Sequence, residues 1–152
     1  MADGKAALLQ AEKQTRSSVG LFGSRAQLGN DYTKRAVAAA MGIYGNSSEE
    51  AVYLGYEEDS QGRPLEGSKS YVIRFEPGQL PPVDFFWSMT MYDLPGRHLV
   101  DNPIKRYAIG DRTRGLKRGK DGSLTLYVQH ASPGQDKDCL LYTSDAADER
   151  SS

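Results

Sequence analysis

Ser70-Tyr71-Val72-Ile73-Arg74-Phe75 alternates along its length. Tyr71, Ile73 and Phe75 fall on one side and Val72 and Arg74 on the other, the period of two that a half-buried β-strand requires. Ser123-Leu124-Thr125-Leu126-Tyr127-Val128-Gln129-His130 repeats the pattern, with Leu124, Leu126, Val128 and His130 on one face. Lys120-Asp121-Gly122 supplies a turn just before it. Between these two stretches, Phe85–Tyr92 is apolar on both faces, Phe86, Ser88, Thr90 and Tyr92 against Trp87, Met89 and Met91. That composition predicts a strand covered on two sides. Ala51–Tyr56 reads as a further strand, and Arg97–Val100 and Arg106–Ile109 as short ones. Turn-forming clusters separate them at 59–65, 76–82 and Pro95-Gly96.

Upstream of the strands the period changes. Residues 2–18 are rich in good helix formers, among them Ala6, Ala7, Leu8, Leu9 and Glu12. Ser17-Ser18 and Gly20, Gly23 and Gly29 then make a loop. A second helix runs from Asp31 to about Tyr44, capped by Asn30 or Asp31, with Tyr32, Ala36, Ala39, Ala40 and Ile43 at helical spacing. Two helices followed by short strands predict an α+β chain whose N-terminal helices lead into an antiparallel β-sandwich.

Composition narrows the function classes. The 152 residues carry 19 Lys+Arg against 20 Asp+Glu, a formal charge of −1. No bulk charge favours nucleic acid or an anionic membrane. Nine Tyr, four Phe and one Trp argue against disorder. One cysteine excludes an internal disulfide framework and a multi-Cys metal site. No apolar run approaches the ~18–20 residues of a membrane span. No signal peptide opens the chain, which as it stands reads as cytoplasmic. A missing N-terminus would leave a periplasmic or envelope location open.

Several stretches, in order, resemble a known bacterial family. They are Asp31-Tyr32 with Arg35-Ala36, Glu49–Tyr53, Gly62 with Pro64-Leu65, Gly67-Ser68 and Tyr71-Val72, and Phe75 with Pro77–Val83. Phe86-Trp87-Ser88-Met89-Thr90-Met91-Tyr92-Asp93 is the most distinctive. Asn102-Pro103-Ile104, Arg106-Tyr107, Ile109-Gly110-Asp111 and Asp121–Leu124 with Tyr127 and Gln129-His130 complete the run. Together, over roughly 25–138, they are similar to the domain of unknown function numbered 1214. The resemblance implies a jelly-roll β-sandwich and no particular reaction. It also implies a partner, the domain of unknown function numbered 1254, which precedes such domains in longer chains. On this basis residues 1–24 are a connecting helix and loop and 25–138 the sandwich domain.

Residues 139–152 stand apart. Cys139-Leu140-Leu141-Tyr142-Thr143-Ser144-Asp145-Ala146-Ala147-Asp148-Glu149 resembles the translation of a transposon-type sequencing adapter. The expectation is a non-native tail on a truncated gene product from an assembled, metagenomic-type read, with the sandwich incomplete at its C-terminal side. A lost closing strand would leave an unpaired sheet edge, so the chain is expected to aggregate or to be partly unfolded.

Few residues point to chemistry. His130 can do acid–base work near neutral pH and, on the Leu124/Leu126/Val128 face, can point into a cavity. The plainer alternative is a strand-end histidine hydrogen-bonded to a loop. His98, beside Pro95-Gly96-Arg97, reads as solvent-facing. Two histidines without acidic companions at ligand spacing make no metal site, and no cofactor is expected. Tyr92, Asp93, Arg106, Tyr107 and Asp111 form a polar and aromatic set in loops after strands, where binding usually lives. Arg106 can clamp a carboxylate or phosphate, or pair with Asp93 or Asp111 to hold the loops. Neither Ser88 nor Ser123 stands in a nucleophile elbow, and Gly20-Leu21-Phe22-Gly23 lacks a phosphate-loop ending. Arg112, Arg114, Lys117, Arg118 and Lys120 form a basic run that reads as a solvated loop, with an anion-binding module as the alternative. The leading expectation is an accessory module binding a small ligand or a partner domain. The rival is a hydrolase-like enzyme using His130, Asp93 and Arg106, which requires the three to converge in one pocket.

Overall fold

A computed structural model of the chain describes residues 2–102 and 104–130, and the backbone of Leu140 and Leu141. The chain divides into two compact units, Met1–Pro64 and Leu65–Ser152.

The first unit is helical. Helix α1 spans Ala2–Gln14. It stops short of residue 18 because the following backbone pairs elsewhere. Ser18 N–H donates to the Tyr53 carbonyl (2.9 Å) and Gly55 N–H to that of Arg16 (2.9 Å), so Ser17 and Leu54 form an isolated antiparallel bridge. Buried Ser18 also accepts the Tyr53 N–H through its hydroxyl (2.8 Å). This bridge is all that forms of the strand expected over 51–56. Helix α2, Arg25–Leu28, lies where the sequence suggests only loop. Its cap is reciprocal: Ser24 Oγ accepts from Gln27 N–H (3.3 Å), and Gln27 Oε1 accepts from Ser24 N–H (2.7 Å). Helix α3 spans Tyr32–Gly42, with Asp31 rather than Asn30 as cap, its carboxylate accepting Lys34 N–H at 2.9 Å. Val37 and Ala38 are its buried positions, and α1 lies against it. In the turn that closes the unit, Asp59 accepts the N–H groups of Gln61 and Arg63 and pairs with the Arg63 guanidinium at 2.7 Å. The Arg63 side chain first, then its backbone, holds the Asp59 carboxyl at about 2.

The second unit carries the sheets. Strand β1, Tyr71–Phe75, pairs antiparallel with β4, Leu124–Val128, in the register Tyr71↔Val128 to Phe75↔Leu124. Strand β2, Ser88–Thr90, pairs antiparallel with β3, Ala108–Gly110. The β5 backbone, Leu140–Leu141, pairs with the other side of β4, so that β4 is central to β1-β4-β5. The alternation read in the sequence sets the burial. Leu124 (0% exposed), Leu126 (1%) and Val128 are buried with Ile109 of β3, while Tyr71, Ile73, Phe75, Leu80, Trp87 and Met89 pack half-buried around them. Each such buried aliphatic contributes roughly 1.5–3 kcal/mol. One core thus joins both sheets. On the other side of β1, Val72 faces solvent (60% exposed).

The turn before β4 is held by side chains. Asp121 Oδ1 accepts from Ser123 Oγ (2.6 Å) and Ser123 N–H (3.0 Å). Its Oδ2 accepts from Arg74 of β1 (2.9 Å), which also grips Glu76. Gly122 has φ +85°, a conformation that favours glycine. The Ser123 hydroxyl, then its backbone N–H and Arg74, hold the Asp121 carboxyl at about 2.

Helices followed by small sheets make the chain α+β. The expected antiparallel pairing is present in β1–β4 and β2–β3, and the β4–β5 pair is parallel. Among the described residues the strands form a three-stranded and a two-stranded sheet, and jelly-roll closure is not shown. The strand expected over 85–92 is three residues long, and Phe85 (84% exposed) and Phe86 (52%) lie outside it facing solvent. Beyond Ser88 the Trp87 N–H donates to the Asp111 carboxylate instead of a backbone carbonyl, so the regular β2–β3 ladder stops there. Of the strand expected over 97–100, only Leu99 pairs, in an isolated bridge to Tyr92. Within the tail assigned to adapter sequence, Leu140 and Leu141 are paired; Cys139 and residues 142–152 lie outside the described residues, as do 131–138 and Pro103.

Candidate functional site

Tyr92 and Asp93 lie in a loop that the Tyr92↔Leu99 bridge closes. Asp93 holds the loop. Its carboxylate accepts His98 N–H, its own N–H donates to the His98 carbonyl (2.9 Å), and its carbonyl accepts Arg97 N–H (2.9 Å). The His98 ring lies 3.8 Å from the same carboxylate and is largely solvent-facing, as expected.

Arg106 and Tyr107 belong to a second loop, organised by Asn102. Buried Asn102 donates its amide N–H groups to the carbonyls of Val100 and Arg106 (both 3.2 Å) and accepts Arg106 N–H through Oδ1 (2.8 Å). The Arg106 backbone is thereby fixed. Tyr107 donates its hydroxyl to Asp101 Oδ1 (3.1 Å). That hydrogen bond to a carboxylate holds the Tyr107 phenol above its ordinary value. Asn102 was not among the candidate site residues, although Asn before Pro is a turn signal.

Asp111 sits at the end of β3, at a cleft of about 280 Å3 lined by Phe86, Trp87, Ser88, residues 108–110, Asp111, Arg112 and Thr113. Asp111 accepts Trp87 N–H through Oδ1 (3.3 Å), and its N–H donates to the Trp87 carbonyl (3.4 Å). Gly110 and Thr113 lock the turn between them: Gly110 N–H donates to Thr113 Oγ1 (2.9 Å) and Thr113 N–H to the Gly110 carbonyl (3.0 Å). Arg112, at the tip, places its guanidinium carbon 4.7 Å from the centre of the Phe86 ring. Trp87 meanwhile stacks obliquely on Phe75, ring centres 5.6 Å apart. The Arg112–Phe86 pairing was not legible in a sequence where the two stand 26 positions apart.

His130 follows the end of β4 and is exposed. Asp93, Arg106 and His130 line neither this cleft nor a second one of about 440 Å3 at Gly23, Arg25, Leu28 and Arg35 in the first unit. Among the described residues no three His, Cys, Asp or Glu gather to hold a metal ion, and no helix is long and apolar enough to cross a membrane.

These features define a small α+β module with two sheets on one core, loops tied by their own polar side chains, and shallow clefts. Residues 50–148 match the family described as Protein of unknown function (DUF1214), and the chain belongs to that family. The match runs through most of the stretch that resembles adapter sequence. Curated proteins give no match. Among solved structures, the crystal structure of the VPA0106 protein from Vibrio parahaemolyticus, a Northeast Structural Genomics Consortium target, is similar. The identity is 29% and the TM-score 0.66, over 95% of this chain and 36% of that one. The chain therefore spans little more than a third of the solved chain it matches.

Proposed function

We propose that the chain is an accessory, non-catalytic module whose role is to pack on a further domain of a longer protein. The domain of unknown function numbered 1254 is the expected partner, and in that setting the sheets are part of a larger jelly-roll sandwich. The observation that carries this reading is the apolar surface of the second unit. Val72, Val83, Phe85, Leu94, Leu99 and Ile104 are all exposed, apolar side chains that gain burial where a further domain covers them. The share of the Vibrio chain that is matched supports the same reading, since most of that chain remains to supply a covering surface. The loop-holding roles of Asp93 and the Arg106 backbone favour it over the hydrolase reading.

The test is a chimera in which this chain replaces the matched part of the VPA0106 chain. Val72→Lys and Leu99→Lys are expected to leave the melting temperature of the isolated chain nearly unchanged, as exposed substitutions do. In the chimera they are expected to lower it by several degrees. Equal effects in both settings overturn the proposal.

A further inference from the structure

We propose that the cleft between β2, β3 and the 110–113 turn binds a small monocarboxylate with a flat apolar body, the carboxylate on Arg112 and the body against Phe86 and Trp87. The site is independent of the docking surface. Arg112 lies over the Phe86 ring, 4.7 Å from its centre. A guanidinium that rests its face on a ring keeps its N–H donors at its edge, in the fork that matches a carboxylate. Among the described residues no carboxylate pairs with Arg112, and its tip position is fixed by the reciprocal Gly110–Thr113 hydrogen bonds. A donor held in place before binding loses less freedom on complex formation.

The rest of the cleft selects the ligand. Phe86 is half exposed and Trp87 lines the same hollow, so an aromatic or similarly flat group gains burial there. Asp111 stands beside Arg112 with its carboxylate on the Trp87 N–H. One cation and one anion leave the cleft near neutral, which disfavours a dianion such as a phosphate monoester against a monoanion. The volume of about 280 Å3 suits a single ring with a short acid arm.

Trp87 is the only tryptophan, so its emission reports directly on the cleft. The experiment titrates the full chain with 3-phenylpropionate, and separately with 3-phenylpropanol and phenyl phosphate, with excitation of Trp87. A saturable change with 3-phenylpropionate is expected, at least about tenfold stronger than with either analogue, the difference a charge-assisted hydrogen bond makes. Arg112→Ala, its far-ultraviolet circular dichroism matching the parent, is expected to weaken binding by a similar factor, and Arg112→Lys by less. Equal binding of the neutral alcohol, stronger binding of the phosphate, undiminished binding by Arg112→Ala, or no saturable response overturns the proposal. The alcohol and phosphate comparisons need no variant and stand even if a substitution disturbs folding.

Discussion

Leu126 illustrates how much one side chain carries in so small a core. It is 1% exposed and sits in the middle of β4, packed with Leu124, Val128 and Ile109. Few neighbours can shift to fill its place. Leu126→Ala is expected to cost about 2–4 kcal/mol, read as a lowered urea midpoint. Against the ~5–15 kcal/mol of an ordinary domain, that leaves little. Gly110 is constrained by closeness instead. A Cβ there would run into the Trp87 carbonyl across the β2–β3 pair, and backbone cannot move aside as a flexible side chain can. Gly110→Ala is therefore expected to destabilise by about 1–3 kcal/mol and to shift Trp87 emission by opening the cleft. An Ala at that position with unchanged emission and stability would contradict the packing described.

At the scale of elements, β1 and β4 are tied by a charged clasp as well as by their ladder. Arg74 bridges Glu76 and Asp121, and Asp121 caps the turn through Ser123. The folded Asp121 carboxyl titrates at about 2, against an ordinary 3.8. Its contribution is thus present above the unfolded value and is lost as pH falls through the folded one. Asp121→Asn is expected to lower the melting temperature at pH 7, and the gap to the parent should close between about pH 4 and 2. A gap of constant size across that range would show that the charge is not what matters.

The same elements show which parts of the fold were legible in the sequence. Tyr71–Phe75 and Leu124–Val128 alternate cleanly, and their faces are buried as that alternation requires. Asp31 caps its helix as its residue type suggests. Phe85–Tyr92 misled because apolarity on both faces is the mark of a covered strand, whereas here three of its aromatics, Phe85, Phe86 and Tyr92, face solvent. Composition reports what a segment would gain from a cover and is silent on whether one is present. The candidate site was legible only in part. Asp93 and Asp111 lie in loops that follow β2 and β3, whereas Arg106 and Tyr107, read as the start of a strand over 106–109, precede β3 at Ala108–Gly110; Asn102 and Thr113, which tie these loops, act through backbone hydrogen bonds that leave no periodic trace.

For the molecule as a whole, the exposed aromatics and aliphatics have a consequence in solution. Phe85, Leu94, Leu99 and their neighbours offer apolar surface to any other copy of the chain. The isolated chain is expected to bind a hydrophobic dye such as anilinonaphthalene sulfonate and to sediment faster as concentration rises. A monodisperse monomer that leaves the dye dark would count against the docking role.

The position of β4 bears finally on how the polypeptide emerges from a ribosome. β1 finds its partner in β4, which begins some fifty residues later. At the ~5–20 residues per second of synthesis, Tyr71–Phe75 waits roughly 3–10 s with its ladder groups unmatched. Among the described residues no nearer strand pairs with it, so until Val128 is made the charge of Arg74, within the segment itself, is its deterrent to mispairing.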